Sequence, residues 1–260
     1  MKTRRIKELV KRIQILVPLT IAIFVIWEVL LIITGVNPII LPRPSKIFLA
    51  LADIIITGRL WGYLRTTIIE WMYGVALSAA VGLPIALLMG ISDRAETVLE
   101  PYLSAFITLP TAPLLPLLII WFGLGIHSLA MYVLIFTVFQ LIWVVKSGVK
   151  DIRNYYVDIA KVFGCSRTQI ISMVVLRASL PMIFEALRMS IARGLRGVIV
   201  GELLFITTGL GYILYSAGQA FRTDTIFAIL FLLLILSIAT SAGVGWIGNK
   251  LYPWRKGLTI

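Results

Sequence analysis

Residues Asp151–Pro181 read DIRNYYVDIAKVFGCSRTQIISMVVLRASLP. In the first part, Ile152, Tyr155, Tyr156, Ile159, Val162 and Phe163 recur at spacings of three and four, which predicts a helix over Asp151–Phe163 with one apolar face. Arg153, Asp158 and Lys161 fall off that face. Gly164 follows directly, where a helix closes on a left-handed residue. Ser166-Arg167-Thr168-Gln169 then has the Ser-x-x-Gln form of a capping box ahead of the apolar run Ile170–Leu176. Pro181 is placed to open the next helix, where its missing N–H costs no hydrogen bond. The stretch predicts helix, glycine turn and helix, with an apolar face that needs cover. Two readings fit: an interfacial helix on lipid, or a docking element that packs helix-in-groove on a soluble partner.

The chain on either side is too apolar for water. Of 260 residues, 60% are hydrophobic and 14% charged, against about 45–50% and about 25% in soluble domains. A soluble fold of this size cannot hide that surface, and disorder is excluded by the same composition. Six stretches approach the roughly 20 apolar residues of a spanning helix: 15–36, 68–91, 99–124, 128–145, 181–206 and 225–247. The first is too long for a signal-peptide core, lacks a small-residue cleavage site, and reads as an anchor. The third is interrupted by Pro110, Pro113 and Pro116, and a broken helix at membrane depth needs protein or a cavity beside it. In the second, Gly74, Gly82 and Gly90 at intervals of eight predict close helix contact. The expected fold is an all-α integral membrane protein of about six transmembrane helices. It divides into a basic N-terminus (1–14), a single membrane domain (15–250) whose cytoplasmic loop is 146–180, and a tail (251–260).

Charge sets the orientation. With the N-terminus in the cytoplasm, 16 of the 24 lysines and arginines fall inside and 5 outside, the rest lying in the fifth stretch. That bias predicts cytoplasmic termini, a cytoplasmic 146–180 loop, and external segments at 37–65 and 207–224. It accounts for most of the +12 net charge, so no nucleic-acid partner is expected. Cys165 is the only cysteine and His127 the only histidine, in different segments. No intrachain disulfide, cysteine-based metal cluster or catalytic Cys/His pair is expected.

Asp158-Ile159-Ala160-x-x-x-Gly164, followed by Val174-x-Leu176 and Leu180-Pro181, resembles the loop of binding-protein-dependent ABC importer permeases. Their pattern is Glu-Ala-Ala-x-x-x-Gly, nine residues, then Ile-x-Leu-Pro. Ala112–Gly125 (APLLPLLIIWFGLG), Leu180–Arg188 (LPMIFEALR), Gly201-Glu202-Leu203-Leu204 and Gly209-Leu210-Gly211-Tyr212 resemble the branch that imports sulfonates, taurine, nitrate, bicarbonate and thiamine-precursor-like compounds. The likeness runs from Leu41 to Trp246. Asp158 replaces the usual Glu, Ile159 the first Ala, and Arg177 a proline.

The resemblance implies that the loop's first helix is a coupling helix seated in a cleft of a separate ATPase. Tyr155, Tyr156 and Phe163 would anchor it, Asp158 would make a negative contact, and Ala160 and Gly164 would allow close approach. No Gly-x-x-x-x-Gly-Lys-Ser/Thr occurs in the chain. No cofactor is therefore expected on this chain, and ATP and Mg are expected on the partner ATPase. The resemblance further implies an extracytoplasmic solute-binding protein, a permease homodimer, and residence in the cell membrane's lipid bilayer.

In the fifth stretch Glu185, Arg188, Arg193, Arg196 and Glu202 fall within one half of a helical wheel, which must face protein or water. They read either as ion pairs between helices or as a polar wall. The candidate translocation path is Pro110, Pro113, Pro116, Arg193, Arg196 and Glu202, and the excess of arginine suits an anionic solute. Glu28 and Glu70 read as lone intramembrane acids. The competing function is a stand-alone proton-coupled secondary transporter using Glu28, Glu70 or Glu202; no internal repeat of the kind such carriers show is present. An intramembrane enzyme has no catalytic constellation to support it.

Overall fold

The computed structural model describes residues 2–205 and 208–251, with side chains from Pro18 to Gly248 apart from those of Asn154, Arg167 and Phe205. The basic side chains of the 1–14 segment, the Ile206–Thr207 join and the tail beyond Leu251 lie outside the described residues. The order is α1 (Lys2–Thr34), α2 (Pro44–Ile56), α3 (Arg59–Ile91), α4 (Asp93–Thr108), a 3-10 turn (Ala112–Leu114), α5 (Leu115–Phe122), α6 (Ile126–Val162), α7 (Arg167–Gln169), a π-helical segment (Ile170–Val175), α8 (Leu176–Phe205), α9 (Gly209–Gln219) and α10 (Thr223–Leu251). No strand occurs among the described residues.

Among the described residues four helical runs are long and apolar enough to cross a bilayer: Arg59–Ile91, Ile126–Val162, Ile170–Leu204 and Thr223–Gly248. The proline-interrupted third stretch is a pair of helices, Asp93–Thr108 and Ala112–Phe122, bent by 92° and long and apolar enough to cross when the two are taken as one span. The first stretch is helical, and its apolar part, Pro18–Thr34, is at the short limit for a crossing.

The chain forms two compact units, residues 1–61 with 213–232 and residues 62–212 with 233–260. In the first, Ile47 and Ala50 of α2 pack with Ala228 of α10 among Trp27, Phe227 and Phe231. Glu28 is no lone acid there. Its carboxylate accepts the Ser45 amide at 2.9 Å and the Ser45 hydroxyl at 2.8 Å, tying α1 to the first turn of α2.

The second unit is built on α3, α6 and α8. The three glycines of α3 lie against α6 as predicted: a Cβ on Gly74 would fall 2.5 Å from Val133 Cβ, on Gly82 2.9 Å from Leu141, and on Gly90 2.6 Å from Val149. Both partners advance together along the chain, so α3 and α6 run parallel. Between α6 and α8 the order reverses, with Gly148 on Met182, Gly197 on Phe136 and Gly201 on Leu129. Those are the relative senses that spans two, four and five of the predicted topology require.

Two boundaries differ from the sequence reading. Span four and the loop helix are one uninterrupted helix of 37 residues, α6. The charged stretch between them does not break it, because Gly148 packs on Met182 and the lysines on either side find carboxylates. Pro181 lies inside α8 rather than at its start. The capping box starts the helix at Arg167, and nothing stops it before the membrane. The turn widens into π geometry at Ile170–Val175, and Ser179 Oγ bonds the Val175 carbonyl at 2.6 Å ahead of the proline.

Candidate coupling loop and pathway

At its far end α6 closes on a Schellman turn. Gly164 has φ +74°, its N–H bonds the Lys161 carbonyl at 2.9 Å, and the Cys165 N–H bonds the Ala160 carbonyl at 3.1 Å. The capping box follows: the Ser166 amide bonds Gln169 Oε1 at 2.8 Å and the Gln169 amide bonds Ser166 Oγ at 3.4 Å. Helix, turn and helix thus form a preorganised corner. Its outer surface is apolar and uncovered: Tyr155 is 78% exposed, Val162 85% and Phe163 81%, with Tyr156 and Ile159 beside them. Asp158 is on the same exposed end, paired with Lys161 at 2.9 Å. Ala160 is on the inner side, buried with Ile170 and Val175. Beneath the corner is a cavity of about 330 Å³ lined by Val157, Lys161, Cys165, Ile170 and Val175, among others.

The root of this corner is fastened by charge. Arg153 bonds Asp93 at 2.5 Å and the Ile91 carbonyl at 2.9 Å. Lys150 bonds Glu96 at 2.7 and 2.8 Å. Lys146 pairs with Glu100, lies 3.4 Å from Glu96, and sits over the Trp143 ring. Sequence reading treated Lys146, Lys150 and Arg153 only as topology signals. The available signal was the matched spacing, acids at 93, 96 and 100 against bases at 146, 150 and 153.

The broken span makes the second candidate region. α4 ends at Thr108, and Leu109 turns to extended backbone (ψ 127°). A cavity of about 220 Å³ opens beside the break, lined by Leu109, Pro110, Thr111, Phe136, Gln140 and Arg193, among others. The fold thus brings Pro110 and Arg193 to one cavity. Arg193 Nε donates to the Phe136 carbonyl at 3.0 Å, and its guanidinium lies 5.0 Å from the Phe136 ring. Among the described residues Arg193 has no carboxylate within ion-pair distance. Pro113 falls in the 3-10 turn and Pro116 in the first turn of α5, and Arg196 is exposed.

Glu202 is fully buried and away from that cavity. Its Oε2 accepts the Gly211 amide at 2.7 Å, and the neighbouring Leu210 amide bonds Thr67 Oγ1 at 2.9 Å. A carboxyl oxygen thereby caps α9 at its first turn, where the amides have no partner within the helix. Gly209, at φ +85°, has no room for a Cβ, which would fall on the Glu202 carboxyl. Gly201-Glu202 and Gly209-Leu210-Gly211 are two halves of one lock. Glu70 is no lone acid either, since its buried carboxyl interacts with that of Glu202. Arg188 bonds Ser241 of α10 at 3.0 Å and lies 3.9 Å from Glu185. The charged half-wheel of α8 therefore divides among α6, α9 and α10 instead of forming one wall. Among the described residues no three His, Cys, Asp or Glu side chains converge on a metal position.

Comparison with known proteins follows the same lines. The family model described as the inner membrane component of binding-protein-dependent transport systems matches residues 82–253. The taurine transport system permease of Escherichia coli (strain K12) is 27% identical over 237 residues, covering 88% of this chain and 86% of that protein. The formylaminopyrimidine transport permease of Halalkalibacterium halodurans is 30% identical over 234 residues, covering 90% of this chain and 93% of that one. Among solved structures, an inward-facing MetNI methionine ABC transporter has a chain that aligns with a TM-score of 0.65 at 16% identity, covering 73% of this chain and 96% of that one. At that identity the last match speaks for the fold alone.

Proposed function

The chain belongs to the family of inner-membrane components of binding-protein-dependent transport systems and is the permease subunit of an ABC importer; from that premise we propose how its residues divide the work. It is a transport subunit rather than an enzyme, and nothing found supports a stand-alone secondary transporter. The exposed corner of α6, made of Tyr155, Tyr156, Asp158, Phe163 and Gly164, docks a cytoplasmic ATPase that holds the ATP and Mg. Ala160 serves that surface from behind by seating the corner on Ile170 and Val175. The observation that carries this reading is the combination of a rigidly closed turn with aromatic and aliphatic side chains left uncovered beside it. Exposed apolar patches of this kind mark interaction sites.

Pro110 and Arg193 form the wall of the solute path, with Pro113 and Pro116 keeping the bend open and Arg196 facing a second copy of the chain in a homodimer. Glu202 serves the path indirectly by locking α9. The solute carries an anionic group, which an arginine suits. The sulfonate of taurine, named for the E. coli relative, supports that choice, whereas the formylaminopyrimidine named for the other leaves room for a different head group. The external segments receive a solute-binding protein, and both termini lie in the cytoplasm.

The docking reading is tested with the reconstituted transporter. In a Cys165→Ser background, Phe163→Cys should cross-link to the ATPase subunit with a short bifunctional reagent, while Ile40→Cys should not. Absence of a cross-link from Phe163 and also from Tyr155→Cys, in a complex that still hydrolyses ATP, would remove the corner as the docking site.

A further inference from the structure

The side chains that fasten α4 to α6 form a pattern that docking alone does not require. Asp93, Glu96 and Glu100 recur at +3 and +4, so they share one face of α4. Lys146, Lys150 and Arg153 recur at +4 and +3 on one face of α6. They pair in antiparallel order, Asp93 with Arg153, Glu96 with Lys150, and Glu100 with Lys146. Three acids meet three bases along the two helices in consecutive turns. Glu96 of the middle pair is 16% exposed and Lys150 40%, and Lys146, which also lies 3.4 Å from Glu96, is 6% exposed, so solvent and salt weaken these partly buried pairs less than a fully exposed pair.

We propose that this charge zipper is the transmission between the ATPase-docked corner and the broken span. It rests on the reading that the corner docks the ATPase. Three features lead there. First, α6 is continuous from the zipper to the Schellman turn, so Lys150 and Arg153 move with the docked end. Second, α4 is the half of the broken span that ends at Leu109, and its neighbour Pro110 lines the Arg193 cavity. Phe136 and Gln140 of α6 line the same cavity, so a displacement of α6 that carries α4 moves both of those walls together relative to Arg193 of α8. Third, helices in lipid gain little from hydrophobic attraction to each other. Phe106 stacks on Phe139 at 4.8 Å and Leu99, Leu103 and Ile107 pack against the apolar cluster that includes Val138, Leu141 and Val145 of α6; the three ion pairs add directional ties at the start of α4. A purely static clamp would hold α4 in place whatever the ATPase does; a transmission makes the cavity respond to nucleotide.

The test needs no knowledge of the solute. In the reconstituted transporter, carrying Cys165→Ser and Leu109→Cys, the alkylation rate of the new thiol by a small maleimide is measured with and without ATP plus vanadate. With the zipper intact the rate should change at least fivefold. Lys150→Glu should reduce that change to less than twofold while ATP hydrolysis and the Phe163 cross-link persist. Adding Glu96→Lys to it should restore the response, since the pair is rebuilt with inverted sign and Lys146 keeps Glu100. Lys150→Met, which removes attraction without adding repulsion, should give a response between these and covers the case in which Lys150→Glu does not assemble. A full nucleotide response in Lys150→Glu or Lys150→Met overturns the proposal, as does a double variant that assembles and stays silent. No nucleotide response with the zipper intact overturns it too. Loss of the Phe163 cross-link in the intact transporter would instead strike the docking reading on which it stands.

Discussion

Replacing Gly164 separates what the turn needs from what the partner needs. Its φ of +74° lies where side chains with a Cβ pay about 1–2 kcal/mol. Yet a Cβ placed there has no atom of this chain within 4 Å. Within the isolated permease, Gly164→Ala and Gly164→Leu should therefore cost the same, about 1–2 kcal/mol of local turn stability, and Gly164→Asn should cost less because asparagine tolerates the left-handed region. Against a docked ATPase the two diverge. Leucine intrudes on a packed contact, at a further cost of about 1–3 kcal/mol, which is roughly 5- to 150-fold in affinity. The assay is ATPase binding to the permease in nanodiscs, read beside thermal melting of the permease alone. Equal ATPase affinity for the alanine and leucine variants would refute the reasoning. So would a leucine variant that melts well below the alanine one before any ATPase is added, since the turn would then be filled by the permease itself.

Gly209→Ala should lower stability by about 2–5 kcal/mol, from a Cβ driven onto Glu202 and the strain of φ +85°. Gly218→Ala in the same helix meets open space and should raise stability by up to about 1 kcal/mol; melting curves in detergent distinguish the signs. Arg193→Ala should leave assembly and basal ATP hydrolysis near normal and cut transport, because it strands no buried carboxylate, with Arg193→Lys falling between for want of the planar group; loss of assembly would reassign the residue to structure. In a Cys165→Ser background, an impermeant thiol reagent on intact cells should label Ile40→Cys and spare Asp151→Cys, and the reverse pattern would invert the topology.

Much of this was legible in the sequence because it is written in local pattern. The capping box and the glycine turn are each a few residues long, and both formed as read. The eight-residue glycine spacing on α3 named a contact face, though not the α6 residues it meets. The prolines at 110, 113 and 116 announced a break without giving its angle. What escaped depends on partners far apart in the chain. A helical wheel shows that the charges of α8 share a half-turn; it does not show that Arg188, Arg193 and Glu202 answer to three different neighbours. Glu28 and Glu70 looked solitary for the same reason, their partners being 17 positions away and on another span. Lys146 and Lys150 looked like the end of a helix because the acids that neutralise them are some 50 residues upstream.

The Schellman turn also settles where this protein can be watched. Its second residue past the helix is Cys165, half-buried and held by its own amide to Ala160, and it is the chain's sole thiol. A fluorophore or nitroxide attached there needs no engineered cysteine and no deletion of others. It would report on the unmodified sequence, from the joint between the exposed end of α6 and the helix that runs on into α8.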